Sequence, residues 1–296
     1  MDFSICLPLY QRKPYPTVQS LVKQAEDLGV DYEILIIDDA SSPEISEANR
    51  QFFNKLSKVR YLVLAHNIGR AKMRNLLASE AKGQYFLSLD ADVHICKNDF
   101  LQSFWSQRQS GAVIIGGRKL APLQVNCELR WHYAKQRESH SVENRREKPY
   151  SSFMTGAFFC ERSLFQKLNF DEDIKGYGHE DTLFGFGLRA LEIPLIHIDN
   201  PILIEADDSN SDFLEKSKAA MRNLKIVYTK QPDLAKDIKI LDLALKIENA
   251  GFSPIFTLLY QLFRMTILKN LLSSKPKLRY FDLYRLNYLL RIKLTQ

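Results

Sequence analysis

Several features are missing from this 296-residue sequence, and each absence removes a class of protein. Its four cysteines, Cys6, Cys96, Cys127 and Cys160, lie far apart and form no C-x-x-C pair. That spacing excludes a zinc ribbon or a disulfide framework and leaves reduced core or surface thiols. No stretch reaches the roughly 18 uncharged apolar residues that a membrane span needs. The opening "MDFSICLPLYQRK" has no basic region ahead of a long apolar core, so no secretory signal is expected and the chain reads as cytoplasmic. Acids are nearly missing from the tail. From Gly251 onward eight lysines and arginines face the single acid Asp282; that +7 leaves −1 for the first 250 residues of a chain whose net charge is +6. The basicity belongs to the tail, which argues against a nucleic-acid-binding body.

What is present is an ordinary globular composition, 45% hydrophobic and 26% charged, enough for a substantial core. Short apolar runs alternate with helical periodicity: "FSICLPL", a helix over about 15–28, "YEILIID", a helix over about 43–56, "RYLVLA", a helix over about 69–81, "QYFLSLD", a helix over about 99–108, then "AVIIGG". Strands alternating with helices predict an α/β fold, a doubly wound sheet with helices on both faces. From Lys119 to Tyr150 the pattern weakens into a polar, charge-mixed stretch expected to be a long mobile loop. Beyond it, "SSFMTGAFFC" reads as a strand, "ERSLFQKL" as a short helix, "GYGHEDTLFGFGLRALEI" as a glycine-flanked turn opening a helix, and "PLIHID" as the last strand. After Asn210 the chain is expected to be helical to its end. The domain expectation is residues 1–210 as an α/β domain and 211–296 as a C-terminal helical extension.

Ligands of such sheets bind at the carboxyl ends of the strands, so the residues after each strand carry most information. Those exits hold Pro8, Leu9 and Tyr10; Asp38, Asp39, Ala40, Ser41 and Ser42; His66, Asn67, Gly69 and Arg70; and Asp90, Ala91 and Asp92. Asp90 and Asp92 repel one another unless a cation lies beside them, and hard oxygen ligands suit Mg²⁺ or Mn²⁺ shared with substrate phosphates. Capping of the following turn accounts for the same pair. Asp38 and Asp39 form either a hydrogen-bonding platform for a nucleoside or an Asx turn before the helix at Pro43. Arg70, Lys72 and Arg74 lie on a helix that either neutralises a diphosphate or presents a solvated basic face. Glu180 and Asp181 open a helix, where the dipole stabilises acids irrespective of function.

Taken in order, "ICLPLYQR", "EILIIDDASS", "HNIGRAKMRN", "FLSLDADV", "FMTGAFF" and "GYGHEDTLFGFGLR" resemble the successive motifs of family 2 glycosyltransferases with the GT-A fold. The resemblance covers about the first 210 residues. It implies a GT-A mixed sheet and an inverting, metal-dependent transfer of a sugar from a nucleotide donor, expected to be a UDP-sugar. The hydroxyl acceptor would be a glycan or a lipid-linked molecule, and the setting surface polysaccharide assembly. By the same resemblance, Pro8 and Tyr10 line the nucleotide pocket, and Asp39, with Asp38 behind it, contacts the uracil or ribose. Asn67, Arg70 and Arg74 lie toward the diphosphate or sugar. Asp90-Ala91-Asp92 is the D-x-D motif, with Asp92 the direct ligand of Mn²⁺ or Mg²⁺ and Asp90 toward the ribose or a metal-bound water. Gly156 gives the donor sugar close access to backbone, Asp181 is the general base, and Glu180 stands next to it.

One departure concerns the metal. Relatives often carry a further histidine ligand after the last strand, whereas "NPILIEADDSN" offers Glu205, Asp207 and Asp208 but no histidine. His179, beside the acid pair, is one alternative; His197 lies inside an apolar run and reads as a core residue. Two other functions compete. A sugar-nucleotidyltransferase would need a glycine-rich phosphate loop after the first strand, and "LPLYQRKPYP" has no glycine. A catalytically silent nucleotide-sugar-binding scaffold would not need Asp90, Asp92, Glu180 and Asp181 intact. The tail, with Thr257, Gln261 and Arg264 at helical spacing beside a wide apolar stripe, suits peripheral contact with the inner face of the cell membrane, a cap on the first domain or a homodimer interface.

Overall fold

The computed structural model describes residues 1–294. The first half of the chain runs β1 (Phe3–Leu9), α1 (Tyr15–Leu28), β2 (Tyr32–Asp38), α2 (Pro43–Phe53), β3 (Val59–Val63), α3 (Arg70–Glu80), β4 (Tyr85–Leu89), β5 (Val93–Ile95), α4 (Phe100–Ser106), β6 (Val113–Ile115) and β7 (Arg118–Leu120). Then come α5 (Glu128–Arg137), α6 (Val142–Glu147), β8 (Ala157–Glu161), α7 (Arg162–Leu168), α8 (Glu180–Ala190), β9 (Leu195–His197) and β10 (Ile202–Ile204). Four helices follow: α9 (Asn210–Lys230), α10 (Lys239–Asn249), α11 (Ser253–Leu271) and α12 (Leu278–Arg291). Two compact units emerge. One comprises Met1–Ala121, Glu138–Glu172 and Glu180–Glu205, the other Pro122–Arg137, Asp173–His179 and Ala206–Gln296.

The first unit is built on a seven-stranded sheet ordered β3-β2-β1-β4-β8-β6-β9. β8 runs antiparallel to both β4 and β6, and the remaining pairs are parallel. All seven residues of β2 are buried, as a strand covered on both faces requires. Alternation along β1 splits the core: Phe3, Ile5, Leu7 and Leu9 join one apolar layer with Phe100 and Phe104, while Cys6 joins another with Leu77, Phe158 and Phe184. Burial pushes the Cys6 thiol well above its ordinary pKa, which leaves it an inert core residue. Strand order reverses beside β1, with β2 on one side and β4 on the other, so the crevice of this fold opens at the ends of β1 and β4. A small sheet ordered β5-β10-β7 holds the chain just after that crevice, and Thr17 of α1 donates to the Val93 carbonyl at 2.8 Å.

Two expectations are corrected. The stretch from Lys119 to Tyr150 is no long mobile loop, since it carries the end of β7, all of α5 and all of α6. Its charges misled because Arg145 is buried: its guanidinium donates to the carbonyls of Ile115, Gly116 and Ile198 and lies 2.8 Å from His197 Nδ1. Gly117, at φ +90°, leaves the room; a Cβ there would lie 2.6 Å from Arg145 Nη2. "PLIHID" is also not the last strand, because β10 follows β9 and completes the small sheet.

The second unit is helical. α9 begins at Asn210, behind the Ser209 cap, and the Asn210 side chain accepts from the Leu129 amide at 2.8 Å while donating to Glu128 at 3.0 Å. Leu129 of α5 enters one apolar cluster with Phe213, Leu271 and Phe281. The segment 173–179 is pinned to α9 by Asn223, whose side-chain amide donates to the carbonyls of Lys175, Tyr177 and Gly178 at 2.9, 3.2 and 3.0 Å. The expected helical tail is present over the described residues; Thr295 and Gln296 lie outside them.

Candidate active site

The strand exits converge at the crevice. Tyr10, directly after β1, is 53% exposed, and Pro8 precedes it in partial burial. Asp38 is wholly buried and spends its carboxylate on the Ser41 amide, Ser46 and the Tyr61 hydroxyl at 2.8, 3.2 and 2.6 Å. It therefore supports the site from behind and has no surface to offer a ligand. Asp39 is bound to the end of β1 through its amide, 2.8 Å from the Leu9 carbonyl. Its two carboxylate oxygens accept the amides of Ile68 and Gly69 at 2.6 and 3.1 Å, and its carbonyl accepts from Asn67 at 3.2 Å. This clamp fixes the turn into α3, where Gly69 at φ +83° adopts a backbone unfavourable to other residues. A carboxylate has about four acceptor sites, so Asp39 retains capacity for a further donor.

The clamped turn aims two arginines at the acids. Arg74 is buried and donates from Nη2 to Asp90 at 2.8 Å, while its Nη1 lies 3.8 Å from Glu180. Arg70 reaches the same Glu180 oxygen at 3.9 Å. The other Glu180 oxygen is buried without a hydrogen bond. Burial raises the pKa of Asp90, but the charges of Arg74 and then Arg70 outweigh it, so the carboxyl lies below its ordinary range. Asp92 behaves oppositely. Though open to solvent, it is lifted by the desolvating crevice walls and then by the charge of Asp90. The two acids thus divide their roles: Asp90 is held by an arginine, and Asp92 remains open. Ala91 between them is buried, and the Asp90 amide donates to the Gly156 carbonyl at 3.0 Å. A Cβ on Gly156 would stand 3.8 Å from the Asp90 carboxylate and 3.0 Å from Ile202, so this glycine keeps the acid's flank clear.

Asp181 opens α8 next to Glu180. Its carboxylate accepts the Thr182 amide at 2.7 Å, and burial, then the charge of Glu180, push it up to about 6 against the pull of Arg118. A carboxylate in that range suits proton transfer near neutral pH. α8 is seated by Gly185, where a Cβ would collide with the Tyr150 carbonyl oxygen. Gly185→Ala is therefore expected to displace α8 and its acids, costing about 1–3 kcal/mol of stability. Thermal unfolding and kcat measured together check it; an unchanged melting point would mean that the helix is not seated on that contact.

Sequence reasoning missed Arg118. Its charge bears on both Asp90 and Asp181, and it pairs with Glu138 at 2.9 Å. The same strand-exit rule applied to β6 leads to Gly116-Gly117-Arg118. The histidines supply no third metal ligand: among the described residues no group of three His, Cys, Asp or Glu side chains is placed to hold an ion. His197 is buried with Nε2 3.0 Å from the Pro149 carbonyl. Burial, then the charge of Arg285, hold His179 down at about 4 and so neutral. Glu205 faces His94 at 3.1 Å, and Asp208 pairs with Lys216.

With this geometry in hand, comparison with known families finds that the glycosyl transferase family 2 model matches residues 4–168, more than half of the chain. The chain belongs to glycosyltransferase family 2. The family match ends before Glu180 and Asp181, so the placement of that pair rests on the motif and the geometry. Among individual relatives, the poly(ribitol-phosphate) beta-N-acetylglucosaminyltransferase TarS of Staphylococcus aureus is 29% identical over 99 residues, 33% of this chain and 17% of TarS. Glycosyltransferase GlyG of Streptococcus pneumoniae is 29% identical over 117 residues, 38% of each chain. These matched stretches span well under half the length of either curated relative. Solved structures show the GT-A fold. The mannosyltransferase PcManGT from Pyrobaculum calidifontis, in complex with GDP-Man and Mn²⁺, superposes with a TM-score of 0.56 at 15% identity, covering 77% of this chain and 64% of that one. S. aureus TarS 1–349 with UDP-GlcNAc gives 0.53 at 16% identity over 99% of this family 2 chain and 90% of that one.

Proposed function

We propose that this family 2 chain is an inverting, metal-assisted glycosyltransferase that moves a sugar from a UDP-linked donor to a hydroxyl of a glycan or lipid-linked acceptor in surface polysaccharide assembly. One observation carries the reading. Arg74 touches both Asp90 and Glu180, so the D-x-D motif at the end of β4 and the acid pair opening α8 share one crevice. Tyr10 and Asp39 stand where the nucleoside would lie at the β1 exit, with Asp39 accepting from a uracil or ribose N–H or O–H. Asn67, Arg70 and Gly156 border the diphosphate and sugar.

The residues fit a divalent ion of one kind: not a cage, since Asp90 is taken up by Arg74 and Asp92 is the exposed acid of the pair, but an ion completed by donor phosphates, as hard Mg²⁺ or Mn²⁺ sites are. Asp92 would hold it with Asp90 behind, and when bound it supplies charge stabilisation for the departing diphosphate. Asp181 takes the proton of the acceptor hydroxyl as that oxygen bonds to the anomeric carbon, and the bond from that carbon to the diphosphate breaks on the opposite face. Calorimetry with UDP-, GDP- and dTDP-sugars, with and without Mn²⁺, tests the donor. Binding of the UDP-sugar is expected to tighten about tenfold or more with Mn²⁺, and Asp92→Ala is expected to remove that increment while leaving metal-free binding in place. No binding of any donor would overturn the reading.

A further inference from the structure

α11 is apolar on two faces, and the fold uses only one of them. Tyr260, Ile267 and Leu271 are buried, packed against α12 and the neighbouring cluster. Ile255, Leu258, Leu259, Leu262, Phe263 and Met265 remain 52–71% exposed. Their spacing of three and four residues lines them along the outward side of a single helix of about 28 Å. Isolated exposed apolar residues are ordinary; a contiguous row of this length marks an interaction surface. Leu259 and Phe263 also border an apolar cavity of about 300 Å³ between α11 and α12. Among the described residues no helix is long and apolar enough to cross a membrane.

The surroundings of this face specify its occupant. Lys269 lies at its end on α11 itself, and the turn into α12 brings Lys275, Lys277 and Arg279, all four exposed. Asn270 fixes that turn, donating to the Lys275 carbonyl at 3.3 Å and accepting from the Lys277 amide at 2.9 Å. The one acid of the tail, Asp282, is taken up by Arg285 at 2.5 Å and Arg137 at 3.1 Å. A second copy would bring the same cations against these, since a two-fold interface pairs a patch with itself. An apolar face rimmed by bases and free of available acid matches a negatively charged lipid surface, with the side chains entering the acyl boundary and the bases meeting headgroups.

We propose that the outward face of α11, together with the basic turn following it, docks the protein in the plane of an anionic phospholipid bilayer. The test is flotation of the full chain with vesicles of phosphatidylcholine alone or of phosphatidylcholine with phosphatidylglycerol, paired with equilibrium sedimentation in the absence of lipid. The wild-type chain is expected to float with the anionic vesicles, about tenfold more than with neutral ones, and less as salt is raised. L258D/L262D is expected to abolish flotation, and K269E/K275E/K277E to reduce anionic binding to the neutral level; both change exposed positions and are expected to keep the wild-type melting curve. Equal binding to both vesicle types, flotation that survives L258D/L262D, or a lipid-free dimer that the same variant dissociates in a chain that does not float would each overturn the proposal. Because none of these readouts involves a sugar donor, the proposal stands or falls apart from the transfer reaction.

Discussion

Asp181→Asn is expected to abolish sugar transfer while donor affinity stays within about twofold of wild type. Asparagine keeps the size and an acceptor for the Thr182 amide, 2.7 Å away, so α8 opens as before. It cannot take a proton, and loss of a positioned base costs about 10²–10⁴ in kcat. Wild-type kcat/KM is expected to rise with pH through about 6, where the Asp181 carboxyl ionises, and then level off. The stability effect runs the other way. The folded pKa is raised above the ordinary carboxylate value near 3.9, so the fold favours the protonated form. That contribution is fully present below about pH 4 and is lost as pH rises through about 6. At neutral pH the ionised Asp181 is thus a cost, about 1–3 kcal/mol once partial solvent screening is allowed for. Asp181→Asn is therefore expected to melt higher than wild type at neutral pH and to lose that advantage near pH 4. Unchanged turnover in the variant would remove Asp181 as the base, and an unchanged melting point at neutral pH would show that its environment does not oppose ionisation.

The parts of the molecule that were legible in sequence are those with one dominant cause. β1 and β2 are continuous apolar runs because strands covered on both faces must be, and the acids at the ends of β2 and β4 mark the crevice because strand ends are where this topology leaves backbone unpaired. Arg145 was illegible for the opposite reason. In "SVENRREKPY" it looks like a solvated charge, and only the fold supplies the carbonyls of Gly116 and Ile198 that make its burial favourable. β5, β7 and β10 have three residues each, too few for any period to show. Asp38 and Asp39 look alike in sequence, yet one is sealed by Tyr61 and the other faces the β3 to α3 turn. That difference arises from a hydroxyl 23 residues away. Periodicity found the apolar stripe of α11 but could not say which side was covered, because a helix apolar on both faces has no preferred inward direction in sequence.

Arg74→Met is expected to be the most destabilising single change in the site, lowering unfolding free energy at neutral pH by about 2–4 kcal/mol. Methionine fills much of the same volume against Phe170, whose ring lies 5.6 Å from the Arg74 guanidinium, so packing is largely kept and the charge is what goes. Arg74 and Glu180 side chains are 3% and 6% exposed, and Asp90 27%. Removing the arginine leaves a buried Glu180 with only Arg70 at 3.9 Å, and leaves Asp90 without its 2.8 Å donor. The Asp90 pKa is depressed in the fold, so its contribution is present above the ordinary carboxylate value and is lost as pH falls through the folded one. The gap between Arg74→Met and wild type is accordingly expected to narrow in acid, which a cavity or a misfolded helix would not produce. Adding Glu180→Gln to Arg74→Met is expected to recover about 1–3 kcal/mol of the loss, a non-additivity that urea unfolding of the four proteins in the cycle measures. Additive losses, or a gap that does not narrow with acid, would mean that Arg74 supports α3 by packing alone and does not tie the D-x-D exit to the acids of α8.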